Sequence, residues 1–275
     1  MKGIVLVVGG NSFLAREFAI TNPELPVRYI SHDRIDDPSV YVGINAIVNF
    51  AFAPEMYCQD YDNSLDIDLR IAEYAARLVI HYVMISSRKV YQRDVQWDAQ
   101  EDSPVSGMDV YGRNKLRIER NLAEMLGDRL TILRPGNIIG FETIPGRQRM
   151  GAFLLNQLAQ TEKIHITLSP FVRRDIVPVD FFCMVLREIL RSRPSGIYNV
   201  GTGEATEIGH VALWMIEGFG KGQLVVENPQ VVDEFQLDTT FLQQLTGLSC
   251  GRAEVAHYCF DLGRRLAAGG VSGGR

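Results

Sequence analysis

Short apolar runs that alternate with longer amphipathic segments are the feature that most constrains the fold of this chain. Six runs are apolar almost throughout and are strand candidates: 4–8, 27–30, 46–50, 82–86, 130–133 and 197–200. Four longer segments have helical periodicity: 13–21, 64–78, 111–126 and 181–191. Strands that are apolar on both faces are typical of parallel sheets, and their alternation with helices predicts a doubly wound α/β domain.

The alternating pattern loosens after Gly140, which predicts a second, smaller lobe. We expect residues 1–140 to form the sheet domain, with 174–203 returning to it. The remaining segments, 141–173 and 204–265, would form a small lobe that binds substrate. The end of the chain, 266–275, is rich in alanine and glycine, so we expect it to be disordered.

Composition excludes several classes of function. The net charge is −5 and there is no block of basic residues, which argues against nucleic acid and membrane surfaces as partners. No stretch approaches the roughly 18 apolar residues of a membrane span, and the first apolar run is shorter than that of a signal peptide, so we expect a cytoplasmic protein. Four cysteines lack metal-ligand spacing and predict reduced thiols rather than a metal site: Cys58, Cys183, Cys250 and Cys259.

The turn between the first strand and the first helix, 9–15, lies where a dinucleotide-binding loop would lie. Such loops carry three glycines, for a tight turn, for close approach of the pyrophosphate and for helix–strand packing. Only Gly9 is retained here, with Ser12 and Ala15 at the other two positions. Both are small, and the helix N-terminus still presents N–H groups to an anion. The expected cofactor contacts in this loop are Gly9, Asn11, Ser12, Phe13 and Leu14.

An acidic residue follows the second strand, as expected of a residue that binds the adenosine ribose. Asp33 lies 24 residues after Gly9. Its neighbours His32 and Arg34 suit a 2′-phosphate instead, so Asp33 and Arg34 are both candidate cofactor contacts. The choice between NAD and NADP stays open.

Hydroxyl and ammonium groups converge on the predicted carboxyl edge of the sheet. Ser87 ends a buried strand, and Tyr111 and Lys115 are four residues apart, on one face of the next helix. An ammonium near a phenol stabilises the phenolate and lowers the tyrosine pKa from about 10, which makes the side chain a usable acid–base group. The pair alone is weak evidence, because the spacing also arises by chance.

Taken together, these and other segments resemble the extended short-chain dehydrogenase/reductase family, which contains nucleotide-sugar epimerases, dehydratases and reductases. Besides the loop 9–15, the matching segments are 49–51 (Asn-Phe-Ala), 86–91 (Ser-Ser-Arg-Lys-Val-Tyr), 111–115 (Tyr-Gly-Arg-Asn-Lys), 133–140 (Leu-Arg-Pro-Gly-Asn-Ile-Ile-Gly), 174–180 (Arg-Asp-Ile-Val-Pro-Val-Asp) and 196–203 (Gly-Ile-Tyr-Asn-Val-Gly-Thr-Gly). They follow the family's order, and Tyr111 lies 24 residues after Ser87, which is the family's usual gap.

The resemblance implies a Rossmann-type fold, an NAD or NADP cofactor and a nucleotide-sugar substrate. It implies that Ser87, Tyr111 and Lys115 are catalytic and that Tyr111 and Lys115 also touch the cofactor. Further cofactor contacts implied by position are Phe50, Ala51 and Pro135. Asn137 and Arg174 are the implied substrate contacts, and Arg147, Arg149 and Arg173 are further candidates for the diphosphate.

Departures from the family pattern narrow the reaction. In the family's 4,6-dehydratases an Asp-Glu pair follows the catalytic hydroxyl, whereas Arg88 and Lys89 follow Ser87 here. The cysteine beside that hydroxyl in the GDP-fucose-forming enzymes is also missing. We therefore expect 4-keto reduction, with C4 epimerisation as the alternative. An alternative of another class is a regulatory protein that binds NAD(P) without catalysis.

The resemblance also implies a homodimer, because members of the family pair through the two helices assigned here to 64–78 and 111–126. Their apolar residues would form a four-helix bundle with the second copy. The residues expected there are Leu65, Leu69, Ala72, Ala76, Leu116, Leu122 and Met125. A simpler interpretation is that these side chains pack on the sheet of their own subunit.

Overall fold

The computed structural model describes residues 3–142 and 150–269. The strands are β1 (Ile4–Val8), β2 (Val27–Ile30), β3 (Ile44–Asn49), β4 (His81–Ile85), β5 (Leu130–Pro135), β6 (Asn137–Ile139), β7 (Lys163–Leu168), β8 (Arg173–Arg174), β9 (Ile176–Pro178), β10 (Gly196–Val200), β11 (Thr206–Glu207) and β12 (Gln223–Gln230). The helices are α1 (Phe13–Thr21), α2 (Ile67–Leu78), α3 (Val110–Leu126), α4 (Met150–Thr161), α5 (Val179–Ser192), α6 (Ile208–Phe219), α7 (Thr240–Thr246) and α8 (Arg252–Ala267).

Six strands form the central sheet, in the order β10-β5-β4-β3-β1-β2, and every neighbouring pair is parallel. The doubly wound α/β prediction is therefore confirmed. Each of the six predicted strands and four predicted helices is present. The largest shift is at α2, which begins at Ile67 because the Asp66 side chain caps it, accepting a hydrogen bond from the Leu69 N–H at 2.9 Å.

Both faces of the sheet are covered, which explains why its strands are apolar almost throughout. On β1, Val5 and Val7 belong to one hydrophobic cluster, and Leu6 and Val8 belong to another on the opposite face. The first cluster includes residues of α1 and α5 and continues into α4, α6 and α8. The second is closed by α2 and α3.

The later elements form a smaller layer around the parallel pair β7–β12 and the packed helices α6 and α8. These helices approach so closely that a Cβ on Gly218 would lie 1.9 Å from the Phe260 carbonyl oxygen. The division into sheet domain and lobe stays a prediction. Helix α8 runs two residues into the segment expected to be disordered, and 270–275 lie outside the described residues.

The apolar residues assigned to a dimer interface are in part committed to the core of the subunit. Ala72, Leu116 and Leu122 are buried, so these three side chains are not available to a second copy, and that part of the prediction is wrong. Dimerisation itself stays a proposal. Within 3–142 and 150–269, no helix has the length and apolarity needed to cross a bilayer.

Candidate active site

The carboxyl end of β4 lies inside the sheet, between β5 and β3, and leads directly into the turn that carries Ser87. Ser87 is half-buried and precedes a short 3-10 turn over Arg88–Val90. Its Oγ accepts a hydrogen bond from the Lys89 N–H at 3.2 Å. A serine oxygen that accepts in this way keeps its own O–H proton to donate to a ligand.

The first turn of α3 packs against this same turn. The Asp109 side chain caps α3 by accepting from the Gly112 N–H at 2.8 Å, and it also pairs with Lys89 Nζ at 2.6 Å. Gly112 is close to the turn: a Cβ there would lie 2.2 Å from the Lys89 carbonyl oxygen. Tyr111 immediately precedes Gly112, so its backbone lies beside the turn that follows Ser87.

Aromatic rings surround Tyr111. Tyr57 stacks on it, with ring centroids 5.0 Å apart and an interplanar angle of 12°. Phe52 meets Tyr111 edge-on at 5.2 Å. Both partners come from the segment after β3, which Asn114 holds against α3 by donating to the carbonyl oxygens of Met56 and Gln59, each at 2.8 Å.

Lys115 lies one helical turn beyond Tyr111 and is buried. Its ammonium donates to the Ile85 carbonyl oxygen at the end of β4, at 2.8 Å. It lies 4.5 Å from the centre of the Phe52 ring and 4.0 Å from Asp68 Oδ2. The sequence did not identify Asp68 or Phe52 as neighbours of Lys115. The one signal for Asp68 is that an acidic residue occupies an otherwise apolar position of α2.

The glycine loop is a tight turn that joins the carboxyl end of β1 to the N-terminus of α1. Gly9 is left-handed, with φ +78°, and a Cβ there would lie 2.9 Å from the Ala51 backbone nitrogen, so only glycine fits. The Ser12 hydroxyl is the N-cap of α1, accepting from the Ala15 N–H at 3.2 Å. The side chains of Phe13 and Leu14 are buried, so these two residues offer an anion backbone groups only, whereas Asn11 is exposed.

The segment after β3 borders this loop. Asn49 is buried and fixes the turn, since its amide accepts from the Ala51 N–H at 2.8 Å and donates to the Ala51 carbonyl at 3.0 Å. Phe50 and Ala51 are half-buried beside Gly9. Pro135 is buried at the end of β5.

At the adenosine end, Asp33 and Arg34 lie on an exposed 3-10 turn just after β2. A hydrogen bond from Ser31 lowers the pKa of Asp33 below its usual value. Arg34 pairs with Asp37 at 3.0 Å instead of with Asp33. The two candidate ribose contacts are therefore exposed and have separate partners.

The predicted substrate contacts lie on the strands that lead to the smaller layer. Asn137 is half-buried, and its backbone N–H donates to the Asp175 carbonyl at 2.9 Å. Arg174 already has an acidic partner, because its guanidinium lies 3.4 Å from Asp233 Oδ2 and its Nε donates to the Asp233 carbonyl. Burial lowers the pKa of Arg174.

The other arginine candidates differ in their surroundings. Arg173 stacks over the Trp97 ring at 4.3 Å and pairs with Glu234 at 3.6 Å. Arg147 and Arg149 lie outside the described residues.

Arg88 is a structural residue whose partner could not be predicted from the sequence. It is buried, and its Nη2 donates to both carboxylate oxygens of Asp233, at 2.7 and 2.8 Å, while the guanidinium stacks on Phe235 at 3.6 Å. Asp233 is 145 positions away in the chain, and no local pattern announces the pair.

Comparison with known proteins gives one family and a set of structures. The model of the NAD dependent epimerase/dehydratase family matches residues 30–201, more than half of the chain, beginning after the glycine loop. A comparison with curated proteins found no match.

The solved structures agree in fold at low sequence identity. The UDP-N-acetylglucosamine 4-epimerase of Methanobrevibacter ruminantium has a TM-score of 0.84 and 14% identity, covering 98% of this chain and 100% of that one. An NAD-dependent NDP-hexosamine 5,6-dehydratase of tunicamycin biosynthesis has 0.79 and 16%, covering 96% and 98%. The dTDP-4-dehydrorhamnose reductase of Yersinia enterocolitica has 0.73 and 16%, covering 94% and 99%.

Proposed function

The chain belongs to the NAD-dependent epimerase/dehydratase family, as its motifs predicted, and on that premise we propose that it reduces the 4-keto group of a nucleotide sugar. The proposal is supported by Lys115, which donates to the end of β4 one residue before Ser86 and Ser87, and by the first turn of α3, which packs on the turn after Ser87. The two cationic side chains of that turn, Arg88 and Lys89, are engaged by Asp233 and Asp109. When bound, the nicotinamide supplies the hydride. The residues of the chain bind, orient and handle the proton.

The donor set fits a dinucleotide. Gly9 and the N-terminus of α1 would face the pyrophosphate, the Asp33 carboxylate would accept from the adenosine ribose, and Phe50, Ala51 and Pro135 would line the path between them. Lys115 has three N–H donors and gives one to Ile85, which leaves two for the nicotinamide ribose.

The proton at the reacting sugar oxygen would come from Tyr111. The positive charge of Lys115, one turn along the helix, stabilises the phenolate that remains after transfer. Ser87 keeps its hydroxyl proton and would donate it to the same sugar oxygen. Stacking against Tyr57 and the edge contact with Phe52 fix the plane of the Tyr111 ring, so the hydroxyl has one direction.

The two side chains after Ser87 disfavour elimination. Arg88 is buried in its pair with Asp233, and Lys89 pairs with Asp109. Neither side chain supplies the carboxylate acid and base that the family's 4,6-dehydratases place there. Redox at one carbon needs no such pair, because Tyr111 alone exchanges the proton.

An excess of positive charge supports a diphosphate substrate. One carboxylate, Asp233, faces two guanidinium groups, those of Arg88 and Arg174, so one positive charge is left uncompensated. Arg174 is the more exposed of the two, and its planar group suits a phosphate. We propose that Arg174 shares Asp233 with the substrate diphosphate and that Asn137 lines the sugar side.

Epimerisation at C4 is the second candidate, because it uses the same three residues in both directions. A reductase exchanges its nicotinamide each turnover, whereas an epimerase recycles it and retains it. Native mass spectrometry of the purified protein therefore separates the two: retained NAD favours the epimerase, and an exchangeable site favours the reductase.

The deciding experiment is stopped-flow absorbance at the nicotinamide band with a panel of 4-keto and 4-hydroxy nucleotide sugars. The proposal expects net oxidation of NADH or NADPH by a 4-keto substrate. Interconversion of 4-hydroxy sugars without net redox would replace it by epimerisation. Cofactor binding with neither reaction over the whole panel would favour the regulatory alternative.

A further inference from the structure

The ammonium of Lys115 lies in a buried pocket, and Asp68 is the carboxylate that pairs with it. Lys115 is 5% exposed and, among the described residues, makes one hydrogen bond, to the Ile85 carbonyl. Asp68 Oδ2 lies 4.0 Å away, beyond hydrogen-bond distance. Asp68 therefore balances the charge without using either of the donors that remain.

Asp68 is itself held in place. It is 2% exposed, and its Oδ1 accepts from the Asn49 amide at 2.9 Å and from the Tyr82 hydroxyl at 2.7 Å. Both bonds go to one oxygen, so the other oxygen faces Lys115. Asp68 belongs to α2, Asn49 to β3 and Tyr82 to β4, so three elements fix this carboxylate.

A buried ammonium without a counter-charge is costly, and its position is then poorly defined. We propose that Asp68 is a positioning residue: it supplies the counter-charge of Lys115 and keeps two ammonium donors directed at the nicotinamide ribose. The inference rests on the proposed function, in which Lys115 binds that ribose. Asp68 touches neither cofactor nor substrate and acts only through Lys115.

Fragments of the cofactor test this role directly. Asp68→Asn keeps the size of the side chain and an oxygen that accepts from Tyr82, while it removes the charge and places an NH2 group where an oxygen faced Lys115. We expect NADH and ADP-ribose to bind on the order of tenfold more weakly to the variant, the loss of one hydrogen bond to a charged group. AMP lacks the second ribose, so its affinity should change less than about twofold in calorimetry.

Asp66→Asn is the matched control. Asp66 is a second buried carboxylate that feels the charge of Lys115, but each of its oxygens has another partner: one accepts from the Leu69 N–H at 2.9 Å and the other from the Tyr61 hydroxyl at 2.7 Å. Its loss should lower stability through the α2 cap while the ratio of NADH to AMP affinity stays at the wild-type value. A drop of that ratio in this variant as large as in Asp68→Asn would overturn the assignment.

A double-mutant cycle with Lys115→Met shows whether Asp68 acts through Lys115. In the Lys115→Met background, Asp68→Asn should cause no further loss of NADH affinity. In urea unfolding, the double variant should be more stable than Asp68→Asn alone, because no unpaired buried charge remains. A further loss of affinity in the double variant, or equal NADH-to-AMP ratios in Asp68→Asn and wild type, would contradict the proposal.

Two outcomes separate this inference from the proposed function. If the wild-type protein binds neither NADH nor ADP-ribose, the proposed function fails, and the unfolding cycle decides the Asp68–Lys115 pair alone. If Asp68→Asn does not fold, the NADH affinity of Lys115→Met is compared with that of the double variant. Unequal affinities would overturn the inference, because Asp68 would then act on the cofactor without Lys115.

Discussion

The two ends of strand β4 both bury polar side chains, yet only one end has the properties of a site. At the amino end, His81 lies 2.8 Å from the Thr131 hydroxyl, whose proton goes to the Pro194 carbonyl. Because that hydroxyl donates to Pro194, it accepts from His81 Nε2, and each of these groups has its partner within the chain. At the carboxyl end, Ser87 keeps a proton to donate, and Lys115 keeps two.

Burial of polar groups alone therefore does not identify a functional site. Two further properties identify it: donors that have no partner within the chain, and a position at the carboxyl edge of the sheet. In a parallel sheet with helices on both faces, ligands bind beyond the carboxyl ends of the strands. The comparison predicts two separate effects. Substitutions of the proposed catalytic residues at the carboxyl end lower turnover, whereas substitutions at the amino end lower stability.

The largest expected effect is that of Tyr111→Phe. The variant keeps the ring that stacks on Tyr57 and loses only the hydroxyl, so turnover should fall by roughly 10²–10⁴ with cofactor affinity nearly intact. Stopped-flow reduction and a thermal melt on the same sample measure both sides of the comparison. Wild-type turnover of any accepted substrate would show that Tyr111 is not the acid–base group.

Tyr41→Phe is the control for this substitution. Tyr41 is buried, stacks on Tyr74 of α2 with ring centroids 4.5 Å apart, and donates to the Ile35 carbonyl at 2.8 Å. The loss of that hydroxyl should lower the free energy of unfolding by about 1 kcal/mol and leave turnover unchanged.

Glu119 tests whether position at the carboxyl end is enough to affect turnover, because it lies at that end but has a structural role. Its carboxylate accepts from Ser86 and pairs with Arg134 at 2.7 Å, with both partners buried. Glu119→Gln leaves the Arg134 guanidinium without its counter-charge, which should lower the free energy of unfolding by about 3–5 kcal/mol. Urea unfolding measures this loss, and turnover per folded molecule should stay within a few-fold of wild type.

Replacing both partners is the control. The variant Glu119→Leu with Arg134→Met removes the charges together and should recover most of the stability that Glu119→Gln loses. If Glu119→Gln is as stable as the double variant, the ion pair does not contribute in the way its burial suggests.

His81 gives the amino end a pH dependence. Burial, and then the nearby charge of Arg193, lower the pKa of His81 to about 4 from its usual 6.5. The unfolded chain therefore binds a proton that the native protein does not, so stability should decrease as pH falls from 6.5 to about 4. The shift corresponds to about 3 kcal/mol at full extent.

The measurement is urea unfolding at several values of pH between 7 and 4, for wild type and His81→Gln. Other groups titrate equally in both proteins, so the difference between the two curves isolates His81. Parallel curves over this range would contradict the assignment.

The sequence predicted those parts of the molecule that local pattern specifies. The six apolar runs became the six strands, because strand ends and helix starts are set by nearby residues. The convergence of Ser87, Tyr111 and Lys115 in one catalytic site stays a prediction. Asp68 and Phe52 were missed because tertiary packing alone brings them to Lys115.

Long-range partners explain the remaining errors. Asp233 engages both Arg88 and Arg174, and nothing near either arginine indicates it. The same limit applies to Ala72, Leu116 and Leu122: an amphipathic helix shows which face is apolar, not whether its own sheet or a second copy covers that face.

The smallest expected effect is at the adenosine end, where contacts are exposed. Arg34 is engaged by Asp37, and the carboxylate of Asp33 would face the ribose of a bound cofactor and repel a 2′-phosphate. We therefore expect NAD to be preferred over NADP.

The variant Asp33→Asn removes the charge of this side chain. It should lower the affinity for NAD by up to about tenfold, the value of one exposed hydrogen bond to an ion, while the affinity for NADP does not fall. Arg34→Ala is the control and should leave NAD affinity unchanged. Titration of both cofactors into the three proteins measures this, and a preference of the wild type for NADP would assign the ribose contact to Arg34 instead.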